Sequence, residues 1–249
     1  MKISIITVVY NNEKYIEDCL QSVQLQTYKS IEHIVIDGNS TDGTKEIIKR
    51  YKENIAIYKS EPDLGMYDAL NKGYKLATGD IIGILHSDDV FENNSIIEKI
   101  ANEFINFNID GLYGNLIYVN PNRPDKIIRY WESKEFYPGI IRKGWMPPHP
   151  TLFLRKNFID KIGTFDLRFK IAADYDFMLR VLLTPGVKLK YLPIVITKMR
   201  TGGKSNRSIK NIIRKSWDDY CILRKNKAGG LITLLLKNVS KIKQFFERR

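Results

Sequence analysis

The sequence predicts an α/β domain built on an open, mostly parallel sheet with helices on both faces. Runs rich in Ile and Val alternate with segments of helical period through the first half of the chain. The strand-like runs are almost continuously apolar, which is typical of parallel strands covered on both sides. The 249 residues, 43% hydrophobic and 27% charged, suit one soluble domain that buries its own core.

The first half of the chain repeats a strand followed by a helix. Asn12 is a potential N-cap for the first helix, whose apolar side chains recur on one face. The predicted strands are Ile3–Val9, Ile34–Asp37, Ile55–Tyr58 and Ile81–Leu85, and the helices contain Ile16 to Val23, Ile47 to Tyr51, Met66–Ala77 and Ser95–Phe107. Strands joined by helices in this way predict parallel neighbours.

In the second half of the chain, strands and helices no longer alternate regularly. Residues 120–125 are rich in turn formers and predict a hairpin between two strands. An irregular stretch, a strand, a helix and a further strand follow. The predicted elements are Leu112–Val119, Ile127–Trp131, Thr151–Arg155, Ala173–Leu183 and Lys188–Met199, with a helical tail from Ser208. We therefore expect one domain over residues 1–206 and a basic helical extension over residues 207–249.

The positive charge is concentrated in that tail. Residues 201–249 contain 13 basic and 3 acidic side chains, so ten of the twelve net positive charges lie there. A nucleic-acid-binding enzyme more often spreads basic residues along its cleft, so no nucleic-acid partner is expected. Cys19 and Cys221 are far apart, and the first apolar run reads as a strand, so a signal peptide is not expected. Both features favour a reducing, cytoplasmic setting.

Polar and acidic residues follow each predicted parallel strand, at the edge of the sheet where ligands bind in such folds. Asp37 ends one strand, and His86-Ser87-Asp88-Asp89 ends another. No glycine-rich phosphate loop follows the first strand, which argues against a dinucleotide-dependent dehydrogenase and a P-loop enzyme. A diphosphate beside carboxylates calls for Mg²⁺ or Mn²⁺. Asp88 and Asp89 are the predicted ligands, and the alternatives are a helix cap for this pair and an Asx-turn for Asp37.

Several motifs in order resemble the family 2 glycosyltransferases over residues 1 to about 206. They are Thr7-Val8-Val9-Tyr10-Asn11, Asp37-Gly38-Asn39-Ser40-Thr41-Asp42-Gly43-Thr44, Gly65…Ala69-Leu70-Asn71…Gly79-Asp80, Ser87-Asp88-Asp89, Met146-Pro147-Pro148-His149-Pro150-Thr151 and Ala173-Asp174-Tyr175-Asp176…Arg180. Each motif alone is weakly specific, whereas their order and spacing together are specific. The resemblance implies a GT-A-like fold and transfer of a sugar from a nucleotide donor.

The resemblance also implies a set of donor-binding residues. Thr7, Tyr10 and Asp37 match positions that frame the base, usually uracil. The family often has Asp-Asp-Gly-Ser where this chain has Asp37-Gly38-Asn39-Ser40, so a second acidic residue is absent at Gly38. The remaining expected nucleotide-sugar contacts are Val9, Asn11, Asn39, Asp63, Gly65, Tyr67, Asp68, Asn71, Ser87 and Asp88.

Two further positions carry the chemistry in the family. The family's Asp-x-Asp matches His86-Ser87-Asp88, so Asp88 occupies the metal-binding position and His86 replaces the first carboxylate. Asp174 matches the acid of the family's Glu-Asp motif, the presumed catalytic base, and Ala173 replaces the Glu. A carboxylate there would take the proton from an acceptor hydroxyl as it attacks the anomeric carbon. Asp176 is expected to cap the helix or to pair with Arg180.

The acceptor side and the tail give more open expectations. Trp145 and His149 could bind the acceptor, or their loop could simply cross the surface. Arg200 or Lys204 could contact the leaving diphosphate, or residues 201–206 could be a flexible linker to the tail. The tail has apolar residues at Leu231, Leu235, Val239, Ile242 and Phe246, with lysines elsewhere. Such a helix can lie on an anionic membrane, or it can pack on its own domain or a second subunit.

The expected reaction is inverting transfer from a UDP-sugar to a saccharide or polyprenyl-diphosphate-linked acceptor, in surface polysaccharide synthesis. A peripheral position on the inner face of the membrane would suit a lipid-linked acceptor. Two alternatives are a nucleotidyltransferase, which usually needs a glycine-rich basic loop, and a non-enzymatic membrane- or nucleic-acid-binding module that uses the basic tail.

Overall fold

One sheet forms the centre of the protein. The computed structural model describes residues 1–202 and 209–243, without the side chains of residues 209–214 and 240–243. Its strands are β1 (Ile3–Val9), β2 (Ile31–Asp37), β3 (Ile57–Ser60), β4 (Ile81–Ile84), β5 (Val90–Phe91), β6 (Gly111–Asn120), β7 (Arg123–Trp131), β8 (Phe153–Arg155) and β9 (Leu189–Arg200). Its α-helices are α1 (Ile16–Gln24), α2 (Thr44–Arg50), α3 (Met66–Leu76), α4 (Ile96–Asn106), α5 (Lys156–Ile162), α6 (Ala173–Leu183), α7 (Ile209–Lys225) and α8 (Leu231–Lys243).

The strand order confirms the predicted parallel core. The order is β3-β2-β1-β4-β8-β6-β9-β5, and β7 pairs with β6. The neighbours among β3, β2, β1 and β4 are parallel, and β6 is parallel to β9. The short β8 is antiparallel to both β4 and β6, and β6 and β7 form the predicted hairpin. The carboxyl ends of β1, β2 and β4 therefore meet at one edge, where the motifs lie.

Helices cover both faces of the sheet, because side chains alternate along each strand. Ile6 and Val8 of β1 pack on the face that carries α3 and α6. Ile3 and Ile5 pack on the opposite face, against α1 and α4. All four side chains are at most 6% exposed, so β1 is buried on both sides, as its continuous apolar sequence predicts.

The structure contains two elements that the sequence pattern did not predict. The helix α5 follows β8 directly, and the two-residue strand β5 pairs with β9 immediately after the Asp88-Asp89 turn. Residues 138–150, predicted to be irregular, contain two short 3₁₀ turns at Pro138–Lys143 and His149–Thr151. Asn12 does not cap α1 with its side chain, because the helix begins only at Ile16.

The C-terminal helices pack on the rest of the domain. Ile222 and Leu223 of α7 are buried against Tyr175, Leu179 and Leu182 of α6. The predicted boundary at residues 206 and 207 lies outside the described residues. No helix of the described residues combines the length and the apolar character that crossing a membrane requires.

Glu32, near the amino end of β2, links this strand to β1 and to the segment that leads into β4. Its carboxylate accepts hydrogen bonds from the Ser4 hydroxyl at 2.5 Å, the Thr78 backbone N–H at 2.8 Å and Lys2 Nζ at 3.2 Å. Burial alone would raise the pKa of Glu32, but these donors more than offset it and lower the pKa to about 2.

We predict that Glu32→Gln destabilises the protein in a pH-dependent way. Because the folded-state pKa lies below the usual 4.5, the stabilisation is complete above pH 4.5 and is lost as the pH falls towards 2. The variant should lose about 2 kcal/mol of unfolding free energy at pH 7, and the difference should shrink on acidification. Urea unfolding at a series of pH values measures both quantities.

Glu46→Gln is the matched control, because the Glu46 side chain is 68% exposed on α2. It should change the unfolding free energy by only a few tenths of a kcal/mol at any pH. A difference between Glu32→Gln and the unmutated protein that stays constant from pH 7 to pH 3 would contradict the proposed role of the carboxylate.

Candidate active site

The loops that follow β1 and β2 bind each other and form one side of the crevice. The Asn11 backbone N–H donates to the Ser40 hydroxyl at 2.8 Å, and the Asn11 side chain accepts from the Thr41 N–H at 2.8 Å. Asn11 and Asn39 have φ angles of 50° and 64°, a left-handed conformation that asparagine tolerates better than most residues. Asn39 is exposed and accepts a hydrogen bond from Lys45. The predicted residues Asn11 and Asn39 thus shape the loops.

Asp37 lies at the end of β2 and stabilises the turn that follows. Its fully buried carboxylate accepts hydrogen bonds from the Ser40 backbone N–H at 3.1 Å and from the Ser60 hydroxyl at 2.6 Å. The structure therefore favours the alternative of an Asx-type turn. The prediction that the Asp37 side chain frames the base is not supported, because the carboxylate faces these internal donors.

The side chains of Tyr10 and Asp63 both lie against Gly38, in the loop that follows β2. Gly38 lies between these side chains, and a Cβ atom there would come within 2.5 Å of Asp63 Oδ2 and 3.3 Å of the Tyr10 ring. Tyr10 is 54% exposed, and Asp63 is partly exposed. Asp63 Oδ1 accepts the Gly65 N–H at 2.8 Å. The Asp63 carboxylate thus occupies the space beside Gly38 where the family has its second acidic side chain.

Thr7 and Val9 lie beneath the crevice. Thr7 is fully buried, and its hydroxyl lies 3.0 Å from His33 Nε2 and 3.8 Å from Cys19 Sγ. The Val9 side chain is buried against α1 and α2, while its carbonyl accepts the Gly38 N–H at 2.9 Å. The predicted side-chain contacts of Thr7 and Val9 with the donor are therefore not supported.

The turn after β4 carries Ser87, Asp88 and Asp89. Ser87 accepts a hydrogen bond from the Asn12 side chain at 2.9 Å, which connects this turn to the β1 loop. Asp88 is partly exposed, whereas Asp89 is completely buried, and neither Asp89 oxygen has a hydrogen-bond partner among the described residues. Burial raises the pKa of Asp88, and burial together with the Asp88 charge raises that of Asp89.

Arg200 stabilises this turn from inside the protein, on the buried side of the Asp88 backbone. Its guanidinium donates to the Asp88 carbonyl at 2.9 Å and to the Asp18 carboxylate at 2.5 Å, and it lies 4.8 Å from the Tyr15 ring centre. The residue is only 6% exposed. In this conformation Arg200 is bound to the turn and to Asp18, so its contact with a leaving diphosphate stays a prediction. Lys204, the other predicted diphosphate contact, lies outside the described residues.

The turn after β4 offers one partly exposed carboxylate, that of Asp88. Among the described residues, no group of three or more His, Cys, Asp or Glu side chains could hold a metal ion. Mg²⁺ and Mn²⁺ in nucleotide sites often take only one or two protein carboxylates and complete their coordination with phosphate and water. Asp88 can supply such a carboxylate. Asp89 is completely buried, so its oxygens are not accessible to a metal ion from the crevice and its predicted metal role is not supported.

Asp174 lies in the first turn of α6 and gathers groups from distant parts of the chain. Its Oδ1 accepts the Tyr67 hydroxyl at 3.0 Å, and its Oδ2 lies 3.5 Å from His149 Nδ1. His149 Nε2 in turn lies 3.4 Å from His86 Nε2, at the end of β4. Side chains from α3, the 3₁₀ turn and the β4 turn thus converge on the predicted base. Tyr67, expected to contact the nucleotide, instead supports Asp174.

The electrostatics of this cluster keep Asp174 ionised. Burial alone would raise its pKa, but His149, the Lys215 cation and the Tyr67 hydroxyl more than offset burial and hold the pKa below its usual value. Burial lowers the pKa of His149, and burial together with His149 lowers that of His86 to about 3. His86 is therefore neutral at pH 7. Nothing in the sequence pattern indicated the effect of Lys215.

Several residues on and near α3 were predicted to contact the nucleotide sugar but have other roles in the structure. Asp68 accepts the Leu64 N–H at 3.1 Å and pairs with Lys72 at 3.3 Å. Both ends of the Asn71 amide bind the Phe165 backbone at 2.9 Å, so Asn71 is not free to bind a ligand. Gly65 is exposed with φ at 116°, a conformation that favours glycine in the loop entering α3.

Three predictions remain, for Trp145, for the pair of Asp176 and Arg180, and for His149. Trp145 packs against Tyr113 and Phe136, with ring centres 5.9 and 6.4 Å apart, and is only partly exposed. Its main contacts are therefore with the core. The predicted pair of Asp176 and Arg180 is confirmed, with Arg180 Nε 2.9 Å from Asp176 Oδ2. His149 is placed within the cluster around Asp174.

Comparison with known proteins decides the family. The model of glycosyl transferase family 2 matches residues 4–171, more than half of the chain. The chain belongs to this family. A glycosyltransferase of Mycobacterium tuberculosis is 33% identical over 191 residues, which cover 73% of this chain and 69% of the relative. A PGL/p-HBAD biosynthesis glycosyltransferase of the same species is 29% identical over 209 residues, covering 82% and 78%.

Solved structures confirm the GT-A-like fold of this glycosyltransferase. S. aureus TarS in complex with UDP-GlcNAc superposes with a TM-score of 0.71 at 21% identity, over 91% of this chain and 65% of that one. This chain thus spans less than two thirds of TarS. The mannosyltransferase PcManGT from Pyrobaculum calidifontis, in complex with GDP-Man and Mn²⁺, gives a TM-score of 0.65 at 18% identity, over 100% and 76%.

Proposed function

We propose that this glycosyltransferase is an inverting enzyme in which Asp174 is the catalytic base. The observation that carries the proposal is the cluster of Asp174, His149 and His86, whose consecutive separations are 3.5 and 3.4 Å. It links a charged carboxylate to the turn that bears Asp88. A base and a cation-binding turn at the same edge of the sheet are what transfer from a nucleotide diphosphate sugar requires.

The proposed reaction is a single displacement. Asp174 removes the proton from an acceptor hydroxyl while the hydroxyl oxygen forms a bond to the anomeric carbon. The bond from that carbon to the diphosphate oxygen breaks, and the nucleoside diphosphate leaves with the bonding electrons. Attack opposite the leaving group inverts the anomeric configuration. A Mg²⁺ or Mn²⁺ ion at Asp88 would supply positive charge to the diphosphate.

We propose a uridine nucleotide as the donor carrier. Beside Gly38, the exposed Tyr10 ring can stack on a base, and the partly exposed Asp63 carboxylate can accept the N–H of uracil. TarS, which has a similar fold, binds UDP-GlcNAc, and this supports a uridine nucleotide. PcManGT binds GDP-Man instead. The sugar itself is left to the experiment below.

The proposed acceptor is a saccharide, either free or linked to a polyprenyl diphosphate, in the synthesis of a surface polysaccharide or glycolipid. A relative named for PGL/p-HBAD biosynthesis supports an acceptor of this kind. Cys19 and Cys221 are free, which agrees with the reducing conditions of the cytoplasm. We therefore propose that the enzyme acts in the cytoplasm at the inner face of a membrane.

A screen of nucleotide sugars for slow hydrolysis with Mn²⁺ tests the donor proposal. One UDP-sugar should be hydrolysed fastest, and Asp88→Ala should weaken the calorimetric affinity for UDP in Mn²⁺ by about tenfold or more. Asp160→Asn, at a 61% exposed side chain on α5, should bind UDP normally. Preference for a GDP-sugar would contradict the uridine proposal, and unchanged UDP binding by Asp88→Ala would contradict the metal role.

His149 has a distinct expected role as a positioning residue for the base. Because Nδ1 lies 3.5 Å from the Asp174 carboxylate, we assign its proton to that nitrogen and leave Nε2 to accept from His86. Such a contact orients the carboxylate, and a small misplacement of a base is costly. We predict that His149→Ala lowers kcat about 10- to 100-fold while KM for the donor changes less than about threefold. Steady-state kinetics with varied donor measures both.

Tyr67→Phe provides the comparison, because it removes the Tyr67 hydrogen bond to Asp174 without touching the β4 turn. It should also lower kcat with little change in KM. If His149→Ala instead raised KM for the donor at constant kcat, His149 would be a donor-binding residue and the positioning role would be excluded.

A further inference from the structure

The helix α8 carries its apolar side chains on the outside of the protein. Leu231, Ile232, Leu235, Leu236 and Val239 are between 41% and 77% exposed. At about 100° per residue, these five side chains occupy one continuous side of the helix. A helix on the surface of a soluble domain normally turns its apolar stripe towards the core, so α8 has the reverse orientation.

Polar contacts fix this orientation. Thr233 and Lys237, on the opposite side of α8, are 5% and 4% exposed. Lys237 Nζ lies 2.7 Å from Asp219 Oδ2 of α7 and 3.2 Å from the ring centre of Tyr175 on α6. Breaking a buried ion pair of this kind is costly, so α8 cannot roll over to bury its leucines without exposing or stranding the charges. Among the described residues nothing covers the apolar side, which leaves it open to a partner outside the domain.

The charge around this side indicates the partner. Arg224 and Lys227 are exposed in the segment that leads into α8. A second copy of the chain would bring the same positive charge against itself. An anionic bilayer offers both an apolar interior and negative headgroups.

We propose that the outward side of α8 docks on an anionic lipid bilayer. Its five apolar side chains would enter the boundary between headgroups and acyl chains, and the neighbouring basic side chains would contact the headgroups. Because α8 is held through Asp219 and Tyr175 to the helices that support Asp174, docking would hold the catalytic domain at the membrane. That last consequence rests on the proposed function, whereas the docking itself does not.

Vesicle sedimentation of the full chain tests the proposal with a matched pair of variants. Leu235→Glu places a charge on the proposed side, and Ile105→Glu places the same charge on α4, where the side chain is 61% exposed against 64% for Leu235. On vesicles of phosphatidylcholine with phosphatidylglycerol, Leu235→Glu should lower the partition coefficient about tenfold or more. Ile105→Glu should stay within about twofold of the unmutated protein. Vesicles of phosphatidylcholine alone should bind all three proteins weakly.

Three results would overturn the proposal. The first is an equal loss of binding in both variants, and the second is no binding of the unmutated protein to the anionic vesicles. The third is a dimer in sedimentation velocity that Leu235→Glu dissociates, since the side would then join two copies. Hydrolysis of the donor in solution should be the same in both variants. Its absence from the unmutated protein would count against the proposed reaction while the vesicle result stands.

Discussion

The proposed active site depends on a carboxylate that stays charged although it is largely enclosed. Burial of Asp174 favours its neutral form, and the Tyr67 hydroxyl, His149 and the Lys215 cation reverse that preference. These groups come from α3, the turn before β8 and α7, so the fold must bring all three together before the base is competent. An ionised base at neutral pH is the condition for accepting a proton from a sugar hydroxyl.

The periodicity of the sequence predicted the parallel core and the edge that holds the site, but the direction of individual side chains was less accessible. Thr7 alternates with Ile6 and Val8, so its burial towards α1 could have been inferred from the period of two. The internal partners of Asp37 and Asn71 could not, because Ser60 and Phe165 are distant in sequence. Likewise, only the fold shows that Asp63 fills the space beside Gly38.

The C-terminal helices show a similar limit. The spacing of apolar residues predicted an amphipathic helix near Leu231, and the structure contains it as α8. Which side faces the domain depends on Asp219 and Tyr175, whose contacts with Lys237 no periodicity reveals. Lys237, expected among the polar residues outside the stripe, is buried rather than solvated. The extension is thus joined to the helix that carries the proposed base.

The most direct measurement is turnover and UDP binding by Asp174→Asn, which keeps the shape of the side chain but removes its charge. The account predicts that glycosyl transfer falls by at least about 10²-fold. The calorimetric affinity for UDP should stay within about twofold of the unmutated enzyme, because the proposed nucleotide contacts at Tyr10, Asp63 and Asp88 are unchanged. Near-normal transfer by Asp174→Asn would contradict the assignment of the base and with it the account of this site.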